Sequence, residues 1–341
     1  MNFMSDNVAG AAPEILAALS SANDGALSSY GADPITARVT ERLSALFERE
    51  VAVFPVATGT AANALCLSVM CPPFGSVYCH DHSHIQVDEC GAPELYTGGA
   101  KLVPVAGPHG KLSPATLQAA LDRSDPGFVH AVQPAALSLT QATESGTVYT
   151  PDEVADLTAI ARAENLKVHM DGARFANALV HLGCTPAEVT WRAGVDALSF
   201  GATKNGALAA EAIVLFDPDL ARTMGYRRKR GGHLFSKMRF LSAQLDAYLE
   251  DGLWLRLAAH ANRMARRLAE GLAGLPGARL QSPVEANEIF IDLPEPVLQR
   301  LEAAGGKFYR WDGTVIRLVT AWNTEEESVA RFLAAAASAV P

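Results

Sequence analysis

Short apolar runs alternate with longer amphipathic segments over most of the chain, a pattern that predicts alternating strands and helices. Apolar runs of strand length occur at Val51–Val56, Ser76–Cys79, Lys101–Val105, Phe128–Gln133, Leu166–Met170, Ala197–Phe200 and Ala212–Phe216. Amphipathic stretches of helix length occur at Thr60–Met70, Pro114–Leu121, Pro151–Glu164 and Arg174–Leu182. Because strands that alternate with helices usually form one sheet covered on both faces, we predict an α/β fold with a parallel or mixed sheet.

The pattern changes near Leu253, where a long helix rich in alanine, arginine and leucine is predicted over His260–Leu275. Two further strands are predicted near Glu288–Leu293 and Thr314–Val319, and a terminal helix from Glu325. We therefore expect a large α/β domain with an N-terminal arm over residues 1–250 and a small α+β domain over residues 251–341.

Composition and charge narrow the class of partner. The chain has 341 residues, with 28 Lys and Arg against 37 Asp and Glu, and the formal net charge of −9 argues against nucleic-acid binding and favours a small-molecule ligand. No run of about 18 apolar residues predicts a membrane span, and the N-terminal residues lack the pattern of a secretory signal. The five cysteines are odd in number and form no Cys-x-x-Cys pair, so we expect a reducing, cytoplasmic location.

A glycine-containing turn, Ala57-Thr58-Gly59-Thr60-Ala61-Ala62-Asn63, follows the first predicted strand and opens the first predicted helix. Free backbone N–H groups and the positive end of the helix dipole meet at such a junction, which favours a phosphate group. Gly59 lets the anion approach, and Thr60 adds a hydroxyl. The turn lacks the Walker lysine and the full Gly-x-Gly-x-x-Gly pattern, so it supports ATP or dinucleotide binding only weakly, and a plain strand-to-helix turn is the alternative.

Two further motifs come at the ends of predicted strands. Asp171 and Arg174 follow one strand at the edge where open α/β sheets bind ligands, although a helix-capping aspartate would explain the same pattern. Lys204 lies in a loop rich in glycine and alanine between two apolar strands, surroundings that suit a Schiff-base lysine. A phosphate site, an aspartate and a lysine together match the phosphate, the pyridine nitrogen and the aldehyde of pyridoxal 5'-phosphate, so we predict this cofactor.

These segments, in this order, resemble the low-specificity threonine aldolases, which are fold-type I pyridoxal-phosphate enzymes grouped with the β-eliminating lyases. The resemblance implies a large α/β domain with a mostly parallel, seven-stranded sheet and a small α+β domain. The matching segments are Ser5-Asp6, Tyr30-Gly31-Ala32-Asp33-Pro34, the turn at Gly59, His84 with Glu89, His169-Met170-Asp171-Gly172-Ala173-Arg174, Lys204 and Ile316-Arg317-Leu318-Val319-Thr320. The resemblance spans nearly the whole chain, and His-x-Asp-Gly-Ala-Arg is its most specific segment. It implies retro-aldol cleavage of L-threonine, L-allo-threonine or related L-β-hydroxy-α-amino acids, including phenylserine, to glycine and an aldehyde.

The resemblance also implies roles at the cofactor. Lys204 is implied to bind the cofactor aldehyde, and Gly59 and Thr60 to hold its phosphate. Asp171 is implied to pair with the pyridine nitrogen, and His84 to lie against the ring and act as a base or position a water. Of these residues, Lys204, His84 and Asp171 are the expected catalytic ones.

Substrate binding and assembly are implied in the same way. Ser5, Arg174 and Arg317 are expected to bind the substrate carboxylate, and Arg174 also borders the cofactor. Tyr30 is expected near the site across a subunit boundary, and Arg228, within a basic run from Tyr226 to Arg230, is expected to reach a neighbouring subunit's phosphate. The alternative for this run is a solvated loop. A homotetramer is implied, with a dimer as the minimum.

Some features leave alternatives open. Every second residue from His80 to His84 is a histidine, so on a strand the three side chains would share one face and could bind a metal ion. The resemblance instead places His84 at the cofactor ring, and we expect no metal. The lysine loop reads Ala-Thr-Lys-Asn-Gly where better-known members have Ser-Lys-Gly. The segment 140–144 reads Thr-Gln-Ala-Thr-Glu in place of Glu-Asn-Thr-His-Asn. A β-eliminating lyase or an aminotransferase of the same fold, and a non-catalytic binding protein, are the competing hypotheses.

Overall fold

The computed structural model describes residues 1–338, so the last three residues of the predicted small domain lie outside the described part. In that part the strands are β1 (Ala52–Val56), β2 (Gly75–His80), β3 (Lys101–Val105), β4 (Gln133–Thr140), β5 (Lys167–Gly172), β6 (Ala197–Gly201), β7 (Glu211–Leu215), β8 (Arg279–Leu280), β9 (Glu288–Asp292), β10 (Tyr309–Asp312) and β11 (Val315–Val319). The helices are α1 (Pro13–Ala22), α2 (Pro34–Leu46), α3 (Gly59–Met70), α4 (His84–Val87), α5 (Ala92–Thr97), α6 (Pro114–Leu121), α7 (Pro151–Ala163), α8 (Phe175–Leu182), α9 (Pro218–Arg230), α10 (Arg239–Leu249), α11 (Leu253–Ala273), α12 (Glu295–Ala303) and α13 (Glu326–Ala337).

Seven strands form the large sheet, in the order β1-β7-β6-β5-β4-β2-β3. The five neighbouring strands β6, β5, β4, β2 and β3 are parallel to one another, whereas β7 runs antiparallel to both of its neighbours, β1 and β6. The predicted α/β fold with a mostly parallel, seven-stranded sheet is therefore confirmed.

Helices cover both faces of this sheet, and neighbouring positions of one strand contribute to different cores. Leu198 and Val214 pack into the core that contains Phe47 and Phe175, while Ala197 and Ile213 pack into the core that contains Leu65. This alternation follows from the two-residue repeat of a strand, and burial on both faces explains why these strands read as continuous apolar runs.

One predicted strand is displaced. The prediction of a strand over Phe128–Gln133 is wrong, because residues 128–132 form exposed turns and β4 begins at Gln133. Pro134, the residue after the predicted strand, lies at the start of β4, beside an irregularity in the pairing with β2. Proline is tolerated at such a position although it cannot donate a ladder hydrogen bond. The predicted helix over His260–Leu275 also begins earlier, at Leu253.

A second, antiparallel sheet has the order β10-β11-β9-β8 and packs against α11, α12 and α13 through one buried cluster. The start of the chain joins this sheet: Phe3 N donates to Lys307 O at 2.8 Å, and Val319 N donates to Phe3 O at 2.8 Å. The Phe3 ring lies 5.0 Å from that of Phe332. Within residues 1–338, no helix combines the length and the apolar character needed to cross a membrane.

Candidate active site

A cavity of about 230 Å³ lies where the carboxyl ends of β5 and β6 meet the start of α3. Its lining includes five of the residues expected at the site, namely Gly59, Thr60, His84, Asp171 and Lys204. The carboxyl ends of parallel strands are the usual ligand-binding edge of an open α/β sheet, because the loops that follow them converge there.

The phosphate end of the expected site is the N-terminus of α3. Thr58 caps this helix, with its Oγ1 accepting a hydrogen bond from Ala61 N at 3.1 Å. Gly59 and Thr60 follow as the first two helical residues, whose N–H groups have no acceptor within the helix. Since a Cβ atom at Gly59 would have no neighbour within 4 Å, the space above this helix end is open to an anion.

A buried hydrogen-bond chain connects Asp171 with His84. Asn63 Nδ2 donates to Asp171 Oδ2 and to Glu89 Oε1, both at 2.8 Å, and His84 Nδ1 lies 2.7 Å from the same Glu89 oxygen. The second Asp171 oxygen accepts from Ala173 N at 3.0 Å. Asn63 and Glu89 thus fix the positions of two side chains expected to be catalytic.

The pair formed by His84 and Glu89 holds a proton strongly. The hydrogen bond with Glu89 raises the pKa of His84, although partial burial opposes it. Burial raises the pKa of Glu89, although its bonds with His84 and Asn63 oppose it. When Glu89 is ionised it can only accept, so Nδ1 of His84 carries the proton and Nε2 of the neutral ring is free to take another.

Lys204 lies in a short turn directly after β6, and neighbouring residues fix this turn. Asn205 Nδ2 donates to Tyr248 Oη at 2.7 Å and to Trp254 O at 2.8 Å. The Lys204 ammonium makes no hydrogen bond or ion pair with any residue from 1 to 338. Glu211, at the start of β7, also lines the cavity and accepts from Ala202 N at 3.0 Å. Burial raises the pKa of Glu211 to about 7, despite hydrogen bonds from residues 202–203 and the charge of Lys204.

The chemistry of this donor set fits pyridoxal 5'-phosphate. The N-terminus of α3 offers N–H donors to a phosphate, the Asp171 carboxylate offers an acceptor to a protonated ring nitrogen, and Lys204 offers its side-chain nitrogen to an aldehyde. Five of the expected cofactor-binding residues line one cavity, although the sequence separates the first from the last by more than 140 positions.

The three residues expected to bind the substrate carboxylate do not line this cavity. Arg174 is buried, and its Nε and Nη2 donate to Asp6 at 2.7 and 3.1 Å. Its Nη1 lies 3.0 Å from Glu288 Oε2. Ser5 Oγ accepts from Asn7 N at 3.2 Å and caps a short turn. The role of Ser5, Arg174 and Arg317 in binding the substrate carboxylate therefore remains a prediction.

Arg317 lines a second cavity of about 790 Å³, which shares Glu144 with the first. Its guanidinium carbon lies 5.0 Å from the ring centre of Tyr309 and 5.5 Å from that of Trp311. Arg317 Nη2 donates to Met4 O at 3.3 Å, whereas its Nε is buried and has no partner in the described chain. Two aromatic rings thus orient this guanidinium beside the first cavity.

The two residues expected to act across a subunit boundary also lie away from this chain's own cavity. Tyr30 is half-exposed and has Lys229 Nζ 4.9 Å from its ring centre. Arg228 Nη1 donates to Pro55 O at 3.3 Å, while its Nε is buried and unpartnered within residues 1–338. Burial lowers the pKa of Arg228 to about 10. Both roles stay predictions.

The three alternating histidines do not share a strand, because β2 ends at His80 and His84 begins α4. His80 Nε2 is occupied by Gly107 O at 2.9 Å. In the part of the chain that the structure describes, no group of three His, Cys, Asp or Glu side chains is arranged to hold a metal ion.

We assigned no role from the sequence to four buried polar residues of this region, Asp6, Asn63, Glu89 and Glu288. Asp6, Asn63 and Glu89 are part of the matched segments, which pair Glu89 with His84 but gave no sign of the partners of Asp6 and Asn63. Glu288 carried a local signal, since it is an ionisable residue at the start of a predicted apolar strand. A charge in such a position usually needs a partner.

Comparison with known proteins agrees with this site. A family model described as "Beta-eliminating lyase" matches residues 2–295. Low specificity L-threonine aldolases from Pseudomonas sp. and Pseudomonas aeruginosa are each 47% identical to the chain, covering 99% and 96% of it and 97% and 94% of their own lengths. A solved structure of Leishmania major threonine aldolase has a TM-score of 0.93 at 30% identity, covering 99% of this chain and 98% of its own.

The large sheet, the cavity at its carboxyl edge and the donor set define a pyridoxal-phosphate enzyme of fold type I. Among enzymes of this class, the similarity is to lyases that carry out aldol cleavage. The chain belongs to the low-specificity L-threonine aldolase family.

Proposed function

We propose that this protein cleaves L-threonine, L-allo-threonine and related L-β-hydroxy-α-amino acids to glycine and an aldehyde. The observation that carries the proposal is the convergence of Lys204, Asp171 and His84 on one cavity beside a helix N-terminus. The relatives named low specificity L-threonine aldolase support the choice of reaction.

Each residue has a defined part in the proposed mechanism. The N–H groups of Gly59 and Thr60 hold the cofactor phosphate, Asp171 accepts the N–H of the ring nitrogen, and Lys204 binds the aldehyde. Pyridoxal phosphate, when bound, supplies an electron sink for the pair released from the Cα–Cβ bond.

His84 is the proposed base. Its Nε2 takes the proton of the β-hydroxyl, the oxygen forms the C=O bond of the leaving aldehyde, and the Cα–Cβ bond breaks. Glu89 stabilises the imidazolium through Nδ1–H. The His84 imidazolium gives this proton to Cα, directly or through a water, and the product is glycine.

The second cavity supports a broad choice of substrate side chain. Phe290, Tyr309 and Trp311 line it, and Glu144 connects it with the first cavity. Aromatic rings pair favourably with an aromatic side chain, so we propose that phenylserine is also a substrate. Trp311→Ala should raise KM for phenylserine by a larger factor than KM for threonine, because the ring would contact the phenyl group of phenylserine and, for both substrates, packs against Arg317. Tyr226→Ala, which removes an exposed aromatic ring that does not line the cavity, is the matched control.

The products distinguish the proposed reaction from its rivals. With cofactor bound, L-threonine or phenylserine should give glycine and aldehyde in equal amounts without any added keto acid. Release of ammonia and a keto acid would instead indicate the β-elimination that the description of the matching family model suggests. A requirement for an added keto acid would indicate transamination. Bound cofactor without turnover of any amino acid would indicate a binding protein.

We further propose a homotetramer, with a dimer as the smallest active unit, in which Arg228 and Tyr30 serve the neighbouring subunit's site. The buried but unpartnered Nε of Arg228 supports this role. Lys204→Ala and Arg228→Ala chains, each inactive or impaired alone, should regain activity when co-expressed, since one hybrid site then has both residues. Light scattering tests the subunit number.

We also propose a division into two domains near residue 250 and a cytoplasmic location. The five cysteines, all in the described chain, are free, which supports a reducing compartment. Limited proteolysis near residue 250 and cell fractionation test these two proposals.

A further inference from the structure

Glu144 lies at the passage between the two cavities of the site. Of the described residues that line these cavities, only Glu144 belongs both to the cavity with Lys204 and to the larger cavity with Trp311. A substrate side chain that extends from the first cavity into the second therefore passes Glu144. The Glu144 carboxylate is half-buried and makes no hydrogen bond or ion pair with any residue from 1 to 338, so its charge is available to that side chain.

The turn that carries Glu144 is fixed by its neighbours. Gly146 N donates to Thr143 O at 2.9 Å, which closes a tight turn with Glu144 at its second position. Thr143 Oγ1 lies 2.7 Å from Thr147 Oγ1. Gly146 has a φ of +74°, and a Cβ atom at this position would lie 2.8 Å from Glu288 O. The backbone of Glu144 is therefore held in place at the passage.

Glu144 is also close to the proposed base. His84 and Glu144 line the same cavity. The hydrogen bond with Glu89 is the main cause of the raised pKa of His84, and the charge of Glu144 adds to this rise. Because His84 is proposed to take the proton of the β-hydroxyl, the group carried on the substrate β-carbon is expected near Glu144.

The cations near this passage are paired, whereas several carboxylates are not. All three guanidinium nitrogens of Arg310 donate to carboxylates, and Arg174 forms ion pairs with two buried carboxylates. Arg317 is expected to bind the substrate α-carboxylate, which would neutralise its charge. Asp88 and Asp312 line the second cavity and make no ion pair in the described chain. A substrate side chain that enters this cavity therefore meets net negative charge.

We propose that Glu144 determines specificity by charge, favouring L-β-hydroxy-α-amino acids with an amine in the side chain and disfavouring those with a second carboxylate. Glu144 would attract the ammonium and repel the carboxylate. Better-known members of the family have asparagine where this chain has Glu144, so the cleavage itself does not need this charge. The inference rests on the proposed function, since the reaction is the same aldol cleavage and gives glycine and an amine-bearing aldehyde.

The test compares substrates that share their shape and Cβ configuration but differ by one charge. L-β-Hydroxyasparagine and L-β-hydroxyaspartate differ by a negative charge. L-2-Amino-3-hydroxypentanoate and L-2,4-diamino-3-hydroxybutanoate differ by a positive charge. Glycine release by the holoenzyme at pH 7.5 gives kcat/KM for each. The wild type should prefer hydroxyasparagine in the first pair and the diamino acid in the second, and Glu144→Gln should reduce each preference by about tenfold.

Two further variants separate charge from shape. Glu144→Asn is neutral but shorter than Glu144→Gln and should reduce both preferences equally. Glu164→Gln, at an exposed position near the opposite edge of the large sheet, is the matched control and should keep both wild-type preferences. Wild-type preferences in both Glu144 variants, or a wild type that prefers the anionic substrate, would overturn the proposal.

Binding without cleavage separates a failure of this proposal from a failure of the proposed function. L-Aspartate and L-asparagine have no β-hydroxyl for retro-aldol cleavage, and the visible absorbance of the holoenzyme reports their Kd. The wild type should bind asparagine more tightly, and Glu144→Gln should reduce the ratio of the two Kd values by about tenfold. If no β-hydroxy-amino acid is cleaved, the proposed function fails and this ratio still tests Glu144. If neither Glu144 variant folds, a wild type that binds both equally overturns the proposal.

Discussion

Asn63 connects two carboxylates through a single nitrogen, which lies 2.8 Å from Glu89 Oε1 and 2.8 Å from Asp171 Oδ2. Asn63→Ala removes both bonds in a buried position. A hydrogen bond to a charged group contributes about 1.5–3 kcal/mol, and two that share one nitrogen are not additive, so we expect the free energy of unfolding to fall by roughly 2–4 kcal/mol. We also expect kcat/KM to fall by roughly 10²-fold, because a displacement of about 1 Å can cost that much.

A second substitution separates bonding from packing. Asn63→Asp keeps the shape of the side chain but places a third carboxylate between Glu89 and Asp171, so at pH 8 it should be more harmful than alanine. Asn177→Ala removes a buried contact with Asn262 that does not line the cavity, and it should lower stability without lowering kcat/KM. Urea unfolding and initial rates of aldehyde release measure both quantities. Wild-type kcat/KM in Asn63→Ala, or full stability in Asn63→Asp, would refute this reasoning.

Four other predictions address the site and the core. Lys204→Ala should abolish both aldehyde release and the visible absorbance of the bound cofactor, and normal turnover would contradict the assignment. Asp171→Ala should still bind some cofactor by absorbance but lose most of kcat, whereas an unchanged kcat would exclude its role at the ring nitrogen. Phe200 is fully buried among aromatic rings, so Phe200→Ala should lower the free energy of unfolding by about 3–5 kcal/mol. A decrease below about 1 kcal/mol would show that neighbouring side chains fill the cavity. Burial lowers the pKa of His169 to about 4, so its contribution to stability is complete above pH 6.5 and is lost as the pH falls toward 4. Urea unfolding across this range should show a smaller loss in His169→Gln, and equal losses would contradict the assignment.

The local pattern predicted most strands of the large sheet because each is a short apolar run between polar segments. It did not predict the strand order, because pairing is decided between distant segments. β7 lies between β1 and β6, and its pairing with β1 joins residues about 160 positions apart. The error at β4 has a local cause: the apolar residues before Gln133 resemble a strand although they form exposed turns, and Pro134 stands at the start of the observed strand.

The same distinction applies to the site. Gly59, Thr60, Asp171 and Lys204 stand at junctions between strands and the segments that follow them, so local sequence was enough to suggest their chemistry. The partners of Arg174 could not be predicted in this way, since Asp6 precedes it by 168 positions. Pairs of this kind form only when the whole chain is folded.

The hydrogen bonds between Phe3 and the small sheet have a consequence for the timing of assembly. Phe3 is synthesised more than 300 residues before one of its partners, Val319. Asp6, three residues after Phe3, reaches Arg174 only when this segment is in place. A nascent chain that ends before residue 319 therefore lacks a contact that holds Phe3 on the small sheet, and with it the support for the ion pair of Asp6 with Arg174, even if its large sheet has formed.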